Sequence, residues 1–240
     1  MNEVKNCLII NLDSRPDLWN NTVFFRNKWT KIGKQLTRIS GVDYKNKQNV
    51  LNDFIITNRI NLNATGLRNT KSEVLGELGC FMGHYTCWKY VVDNNLKNCL
   101  ILEDGINIIR DDFQNMSIDN ELDILFVNEE MNQRDSNKHF LGYGLQGYVI
   151  TQKGAQLLLE HCCTLSAPID LQLRHLCNIK IFKADTLTNP YVKRDNNRES
   201  SIAGFQTVQT DLNGKQNPSS VIQRIITNLL KQNVNLDDYL

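Results

Sequence analysis

No apolar stretch in these 240 residues approaches the roughly 20 needed to cross a bilayer as a helix. The charge is close to balanced, 27 Lys and Arg against 26 Asp and Glu. A generic nucleic-acid binder would usually be strongly basic, so the balance argues against that class. No G-x-G-x-x-G stands directly at the end of the first apolar run, and no G-x-x-x-x-G-K-[ST] occurs. Both absences argue against a dinucleotide-dependent dehydrogenase or a P-loop enzyme. The G-x-S-x-G elbow of a hydrolase is also missing. The seven cysteines, Cys7, Cys80, Cys87, Cys99, Cys162, Cys163 and Cys177, include no C-x-x-C pair of the zinc type. Most lie in apolar stretches and read as reduced, buried small hydrophobes of a reducing compartment. There is no internal repeat and no low-complexity segment.

What is abundant is asparagine, about one residue in eight, spread through predicted helices and loops alike. The N-x-S/T sequons at Asn20, Asn63 and Asn115 arise by chance in such a composition. The N-terminal MNEVKNCLIINLD holds only a short apolar stretch entered through Glu3, and reads as a buried strand rather than a signal peptide. A cytoplasmic protein is therefore expected. The length suits one large domain, or one and a half, with a core that needs neither disulfide nor metal.

Val4–Ile10 is nearly continuous in apolar residues, the pattern of a central parallel strand covered on both faces. It ends in Asn11-Leu12-Asp13-Ser14-Arg15-Pro16, where Asp13 or Ser14 can cap a helix with Pro16 in its first turn. Trp19, Val23, Phe24, Trp29 and Ile32 supply a helical stripe, and Leu36–Ile39 a second strand. Residues 44–73 are polar, with Phe54, Ile55 and Ile56 as one short element, and suggest a loop-rich lid. Leu75–Val92 has the strongest helical pattern. Its Gly76, Gly79 and Gly83 cost about 1 kcal/mol each relative to Ala, which implies close packing on another backbone. Further strands are expected at Cys99–Leu102, Asp123–Val127, Leu145–Ile150 and Ile179–Ala184. Helices are expected at Gln152–His161, capped by Thr151, and at Asp170–Cys177. Residues 194–201 and 206–218 read as loops. Ser219 or Ser220 caps a C-terminal amphipathic helix. The alternation indicates one α/β domain.

Ligands of open α/β sheets bind beyond the carboxyl ends of the strands. Polar residues gather at those ends: Asn11, Asp13 and Arg15, then Gly41 and Asp43, Glu103 and Asp104, and Glu129 and Glu130. Each group taken singly also reads as a turn. His161 and Cys162 are sequence neighbours about 100° apart on a helix and cannot form a dyad. His84 lies beside the apolar face of its helix, where a hydrogen-bonded packing role is the commoner one.

Taken in order, these segments resemble glycosyltransferase family 25, which includes bacterial lipooligosaccharide galactosyltransferases and procollagen galactosyltransferases. Ile9 to Asp17 (IINLDSRPD) is similar to its opening, and Arg38 to Asp43 (RISGVD) to its R-x-x-A-V-D-G. Gly76-Glu77-Leu78-Gly79-Cys80 with His84 and Trp88 resembles G-E-x-G-C-x-x-S-H-x-x-x-W, Gly83 replacing the Ser. Leu100 to Gly105 stands at L-I-L-E-D-D. Gly147-Tyr148-Val149-Ile150, then Gly154-Ala155 and Leu157-Leu158, resemble parts of its G-x-Y-x-I-x-x-x-G-A-x-x-L-L element, Pro168-Ile169-Asp170 its P-x-D, and Ser200-Ser201-Ile202 a late S-x-I.

The resemblance implies a GT-A-type fold, a Rossmann-like nucleotide-binding half fused to an acceptor half, over residues 1–205. Residues 206–240, which lie outside the resemblance, are expected to be a linker and a helix packed on the domain or on a twin subunit. The resemblance implies inverting transfer of a hexose from a UDP-sugar to a hydroxyl of a glycan or protein; the balanced charge leads us to expect no nucleic-acid partner, and a membrane role is the least expected one for the C-terminal helix. Asn11, Leu12, Asp13, Arg15, Gly41, Val42 and Asp43 would line the nucleotide, with Glu77, His84, Glu103 and Asp104 on the donor side. Asp170 is the expected base, with Glu129 and Glu130 as rivals; Asp170 also reads as a helix N-cap. Mn²⁺ or Mg²⁺ would sit on Asp104. Gly105 replaces an acidic residue there. Three readings follow: weak metal dependence, loss of activity with binding retained, or metal-free stabilisation by Arg15 or Lys193/Arg194.

Overall fold

The computed structural model describes residues 1–43, 71–162 and 168–195. The expected lid with Phe54–Ile56, the S-x-I segment and the C-terminal helix lie outside the described residues.

Chain order runs β1 (Asn2–Glu3), β2 (Asn6–Leu12), α1 (Pro16–Asn21), α2 (Val23–Lys31), β3 (Gln35–Gly41), α3 (Lys71–Asp93), β4 (Asn98–Glu103) and β5 (Ile106–Ile108). It continues with β6 (Ser117–Ile118), β7 (Ile124–Phe126), β8 (Gly147–Thr151), α4 (Gln152–His161), α5 (Ile169–Asn178), β9 (Ala184–Thr186) and β10 (Val192–Arg194). Six strands make the main sheet in the order β3-β2-β4-β8-β7-β9. Both faces are covered, which is why β2 and β4 read as unbroken apolar runs. Leu8 and Ile101 face a core with Phe81, Trp88 and Tyr148. Cys7, Ile9 and Leu100 face the opposite core with Phe25, Trp29 and Phe113.

The sheet is mixed. β2 pairs in parallel with β3 and β4, but β8 runs antiparallel to both β4 and β7. Buried strands look alike in sequence whichever way they run, so β8's direction was not legible. The chain leaves β2 for β3 on one side and returns to β4 on the other. That reversal places a switch point at the carboxyl ends of β2 and β4, the position where open sheets bind ligands.

Helix α3 crosses close to this edge because Gly79 has no side chain. A Cβ there would stand 2.5 Å from the Val42 carbonyl oxygen, so the expected backbone approach is present. Thr151 accepts the Gly154 amide at 3.1 Å and caps α4.

Three local expectations differ. The N-cap of α1 is Arg15, with no side-chain capping bond, because Asp13 and Ser14 bond to β3 and to Asp43 instead. The helical stripe is broken at Thr22, between α1 and α2; Leu18, Phe25 and Trp29 are buried while Val23 and Phe24 are exposed. The strand expected over Ile179–Ala184 starts only at Ala184, since α5 ends in a turn with Lys180 at φ 63°. Among the described residues no helix is long and apolar enough to cross a membrane.

Candidate functional site

Asn11, the penultimate residue of β2, is 1% exposed. Its amide nitrogen donates to Asp104 Oδ2 at 2.6 Å and to the Arg15 carbonyl at 3.0 Å. Its Oδ1 accepts Arg38 Nε at 2.9 Å and Nη2 at 2.6 Å. Arg38 also pairs with Asp13 at 2.9 Å, and Asp13 accepts the Ser40 hydroxyl at 2.6 Å. Ser14 donates to Asp43 at 2.6 Å. One network thus joins the ends of β2, β3 and β4.

Leu12 pairs in register with Gly41, where a Cβ would come 2.9 Å from Leu12 Cδ2. The Arg15 guanidinium is turned to Asp17, at 3.0 and 2.9 Å. Arg38, a bridge between two expected site residues, was not singled out from sequence. Its only signal was its place in RISGVD.

At the end of β4, burial pushes the Asp104 carboxyl up to about 6, with the Glu103 charge acting in the same direction. The Asn11 hydrogen bond and Arg15 oppose this. A second group lies under Glu103. His84 Nε2 is 3.1 Å from Glu103 Oε1, His84 Nδ1 is 3.0 Å from the Tyr148 hydroxyl, and Trp88 Nε1 donates to that hydroxyl at 2.8 Å. Cys80 Sγ is 3.9 Å from Glu103 Oε1. Burial pushes the Cys80 thiol up, and so do Glu103, Asp170 and Glu77, so all three carboxyls act on this one place. Glu77 itself is buried.

Farther along the edge, Asn128 donates to Gln146 Oε1 at 3.0 Å and to Glu130 at 3.3 Å. Glu130 accepts the Arg194 amide at 2.7 Å. Asp170 accepts the Gly144 amide at 2.9 Å and the Leu171 amide at 2.9 Å. It stands in the first turn of α5, whose N-cap is Pro168. The fold therefore brings Asn11, Asp13, Asp43, His84, Glu103 and Asp104 to one edge, with Glu77 and Asp170 beside it. Glu130 ties down β10, and Glu129 is exposed at the head of a 3-10 turn. Tyr148 and Gln146 were not singled out from sequence: the only signal of Tyr148 was its place in the block matched to G-x-Y-x-I, and a loop amide such as Gln146 carries none.

A divalent cation of the Mn²⁺ or Mg²⁺ type fits Asp104 as a lone protein ligand. The half-buried carboxyl resists ionisation, a nearby cation would reverse that, and Mg²⁺ takes one or two carboxylates plus phosphate and water. Gly105 offers no ligand, and its Cβ position opens onto free space. Cys80, His84 and Glu103 form a second cluster, with ligand atoms all within 4.8 Å of one another. The basic alternative also has a place: Arg194 pairs with Ile106, next to Gly105.

Residues 4–142 match the family described as glycosyltransferase family 25 (LPS biosynthesis protein). The chain is 30% identical over 106 residues to procollagen galactosyltransferase 1 of Danio rerio, covering 35% of this chain and 17% of the relative. It is 25% identical over 178 residues to a glycosyltransferase 25 family member of Aedes aegypti, 65% of this chain and 28% of the relative. A Haemophilus influenzae protein named provisionally as a glycosyltransferase is 26% identical over 200 residues, 72% of this chain and 69% of the relative. The chain thus spans less than a third of these animal relatives and about two thirds of the bacterial one.

Proposed function

Because the chain belongs to glycosyltransferase family 25, we propose that it moves a hexose from a UDP-sugar to a hydroxyl of a glycan or protein, with inversion, on a GT-A-type fold. The observation that supports this most is the Asn11–Asp104 hydrogen bond at the switch point, flanked by Arg38, Asp13 and Asp43. Asn11, Leu12, Asp13, Arg15, Gly41, Val42 and Asp43 form the uridine and ribose side. Glu103 and Asp104 stand at the diphosphate and sugar, with Glu77 and His84 behind them.

In the reaction a base takes the acceptor O–H proton while the acceptor oxygen bonds to the anomeric carbon. The bond from that carbon to the phosphate oxygen breaks on the opposite face, and UDP leaves with the electron pair. Asp170 is the proposed base, with Glu130 and Glu129 behind it. Asp170 is favoured by its place in the P-x-D block, in the first turn of α5. A divalent cation, when bound at Asp104, supplies positive charge to the leaving diphosphate. Residues 1–205 are proposed as one domain, with the last 35 or so residues as linker and helix against the domain or a second copy.

The test is UDP release from a panel of UDP-sugars with and without Mn²⁺. Release from at least one donor, lost in Asp170→Asn, is expected. Turnover untouched by Asp170→Asn, Glu129→Gln and Glu130→Gln removes the base assignments, and no release or binding with any donor removes the function.

Gly105 favours a second reading, a binding subunit that has lost catalysis. The open space at its Cβ means that Gly105→Asp adds a carboxylate without a clash. A higher Mn²⁺ affinity with faster turnover indicates a weakened enzyme. Donor binding by calorimetry without turnover, before and after the substitution, indicates the binding subunit.

A further inference from the structure

Three elements contribute to one directed hydrogen-bond chain that ends on Glu103. The Trp88 indole N–H can only donate, and it donates to the Tyr148 oxygen at 2.8 Å. Tyr148 is fully buried. Among the described residues, the acceptor within reach of its own hydroxyl hydrogen is His84 Nδ1, at 3.0 Å. That bond requires Nδ1 to be unprotonated, so the neutral ring carries its proton on Nε2. Nε2–H then donates to Glu103 Oε1 at 3.1 Å. In the reverse arrangement, with Nδ1–H donating to tyrosine, the hydroxyl hydrogen would be stranded in a dry core, an unpaired buried donor.

The same accounting decides between two uses of the Cys80, His84 and Glu103 cluster. A metal would need the Nε2 lone pair, which the tyrosine keeps filled with a proton. With Oε1 taken by His84, Glu103 has one more oxygen, and no described residue hydrogen-bonds to Oε2. The Glu103 side chain is 29% exposed at the carboxyl end of β4.

We infer that Trp88, Tyr148 and His84 are positioning residues, locking one histidine tautomer so that the open oxygen of Glu103 meets a hydroxyl of the bound nucleotide sugar. The ligand in this inference rests on the proposed function; the tautomer does not. The shared chemistry is a hydroxyl donor, which either the ribose or the hexose supplies.

Two measurements test it on the full chain. Nitrogen-15 NMR of the histidine rings, with His84 assigned from the signal lost in His84→Gln, is expected to show a neutral ring protonated at Nε2. An Nδ1-protonated ring, a charged ring at neutral pH, or displacement of the Nε2 proton by added Zn²⁺ overturns the lock. Calorimetry then compares UDP, UDP lacking a ribose hydroxyl, and UDP-hexoses. Tyr148→Phe is expected to weaken binding roughly tenfold, and to have no effect once Glu103→Ala is present. An equal loss in both backgrounds means that the tyrosine is merely structural, and overturns the inference. If Glu103 meets the ribose, removing the ribose hydroxyl reproduces the Glu103→Ala loss. If it meets the hexose, that loss appears only with UDP-hexoses. A wild-type chain that binds none of these removes the proposed function and the ligand with it, while the NMR result still decides the lock.

Discussion

Asp104 is half-buried just past the end of β4, with the Asn11 side-chain amide at 2.6 Å and the Leu12 backbone amide as its donors. Burial dominates, and the carboxyl titrates near 6 rather than 3.8. The folded state therefore holds this proton more tightly than the unfolded chain. The associated stability is fully present below about pH 4 and is lost as pH rises through about 6. The full difference is on the order of 3 kcal/mol, as an upper bound for a partly wet group. Asp104→Asn keeps an acceptor for Asn11 and removes the charge. It is expected to raise the melting temperature at pH 8 and leave it nearly unchanged at pH 4, as read by thermal denaturation across pH. The same variant should lose divalent-cation binding. Asn11 is the partner that couples the strands. Asn11→Ala should weaken UDP binding by roughly tenfold or more, since it leaves both Asp104 and Arg38 short of a partner. Unchanged affinity in calorimetry would remove Asn11 from the nucleotide side.

Helix α3 illustrates how an element is placed by what it omits. Three glycines in a helix are locally unfavourable, and at Gly79 the reason is tertiary, because the Val42 carbonyl occupies the space of a side chain. Gly79→Ala would gain helix propensity of about 1 kcal/mol. It would also push β3's end away from α3, an overpacking cost of roughly 1–3 kcal/mol. Net destabilisation in urea is expected, together with weaker nucleotide binding, since Val42 and Asp43 move with it. A stabilised Gly79→Ala protein would contradict the packing. Much of the element pattern was legible: the boundaries of α4 follow from its Thr151 cap and apolar spacing, and β2 and β4 from their apolar runs. The α1 cap was not, because Asp13 and Ser14 satisfied the local rule yet found longer-range partners in Ser40, Arg38 and Asp43.

For the whole molecule, the switch point is what converts scattered polar strand ends into one edge. Order along the chain placed Asn11, Asp43, Glu103 and Asp104 each at the end of a strand. That they meet depends on β2 lying between β3 and β4. The antiparallel β8 then delivers Tyr148 from the sheet interior to His84, and the loop before it delivers Gly144 to Asp170.

Residue chemistry and hydrophobic period are local properties, so the sequence by itself determined the element types, the buried runs, the family resemblance and the loss of an acid at Gly105. Strand direction, the partners of Asp13 and Ser14, the Arg38 bridge and the tautomer of His84 were decided only by tertiary structure. Each depends on which groups remain within about 3 Å of one another once water has been excluded, and that distance is set by packing rather than by sequence separation.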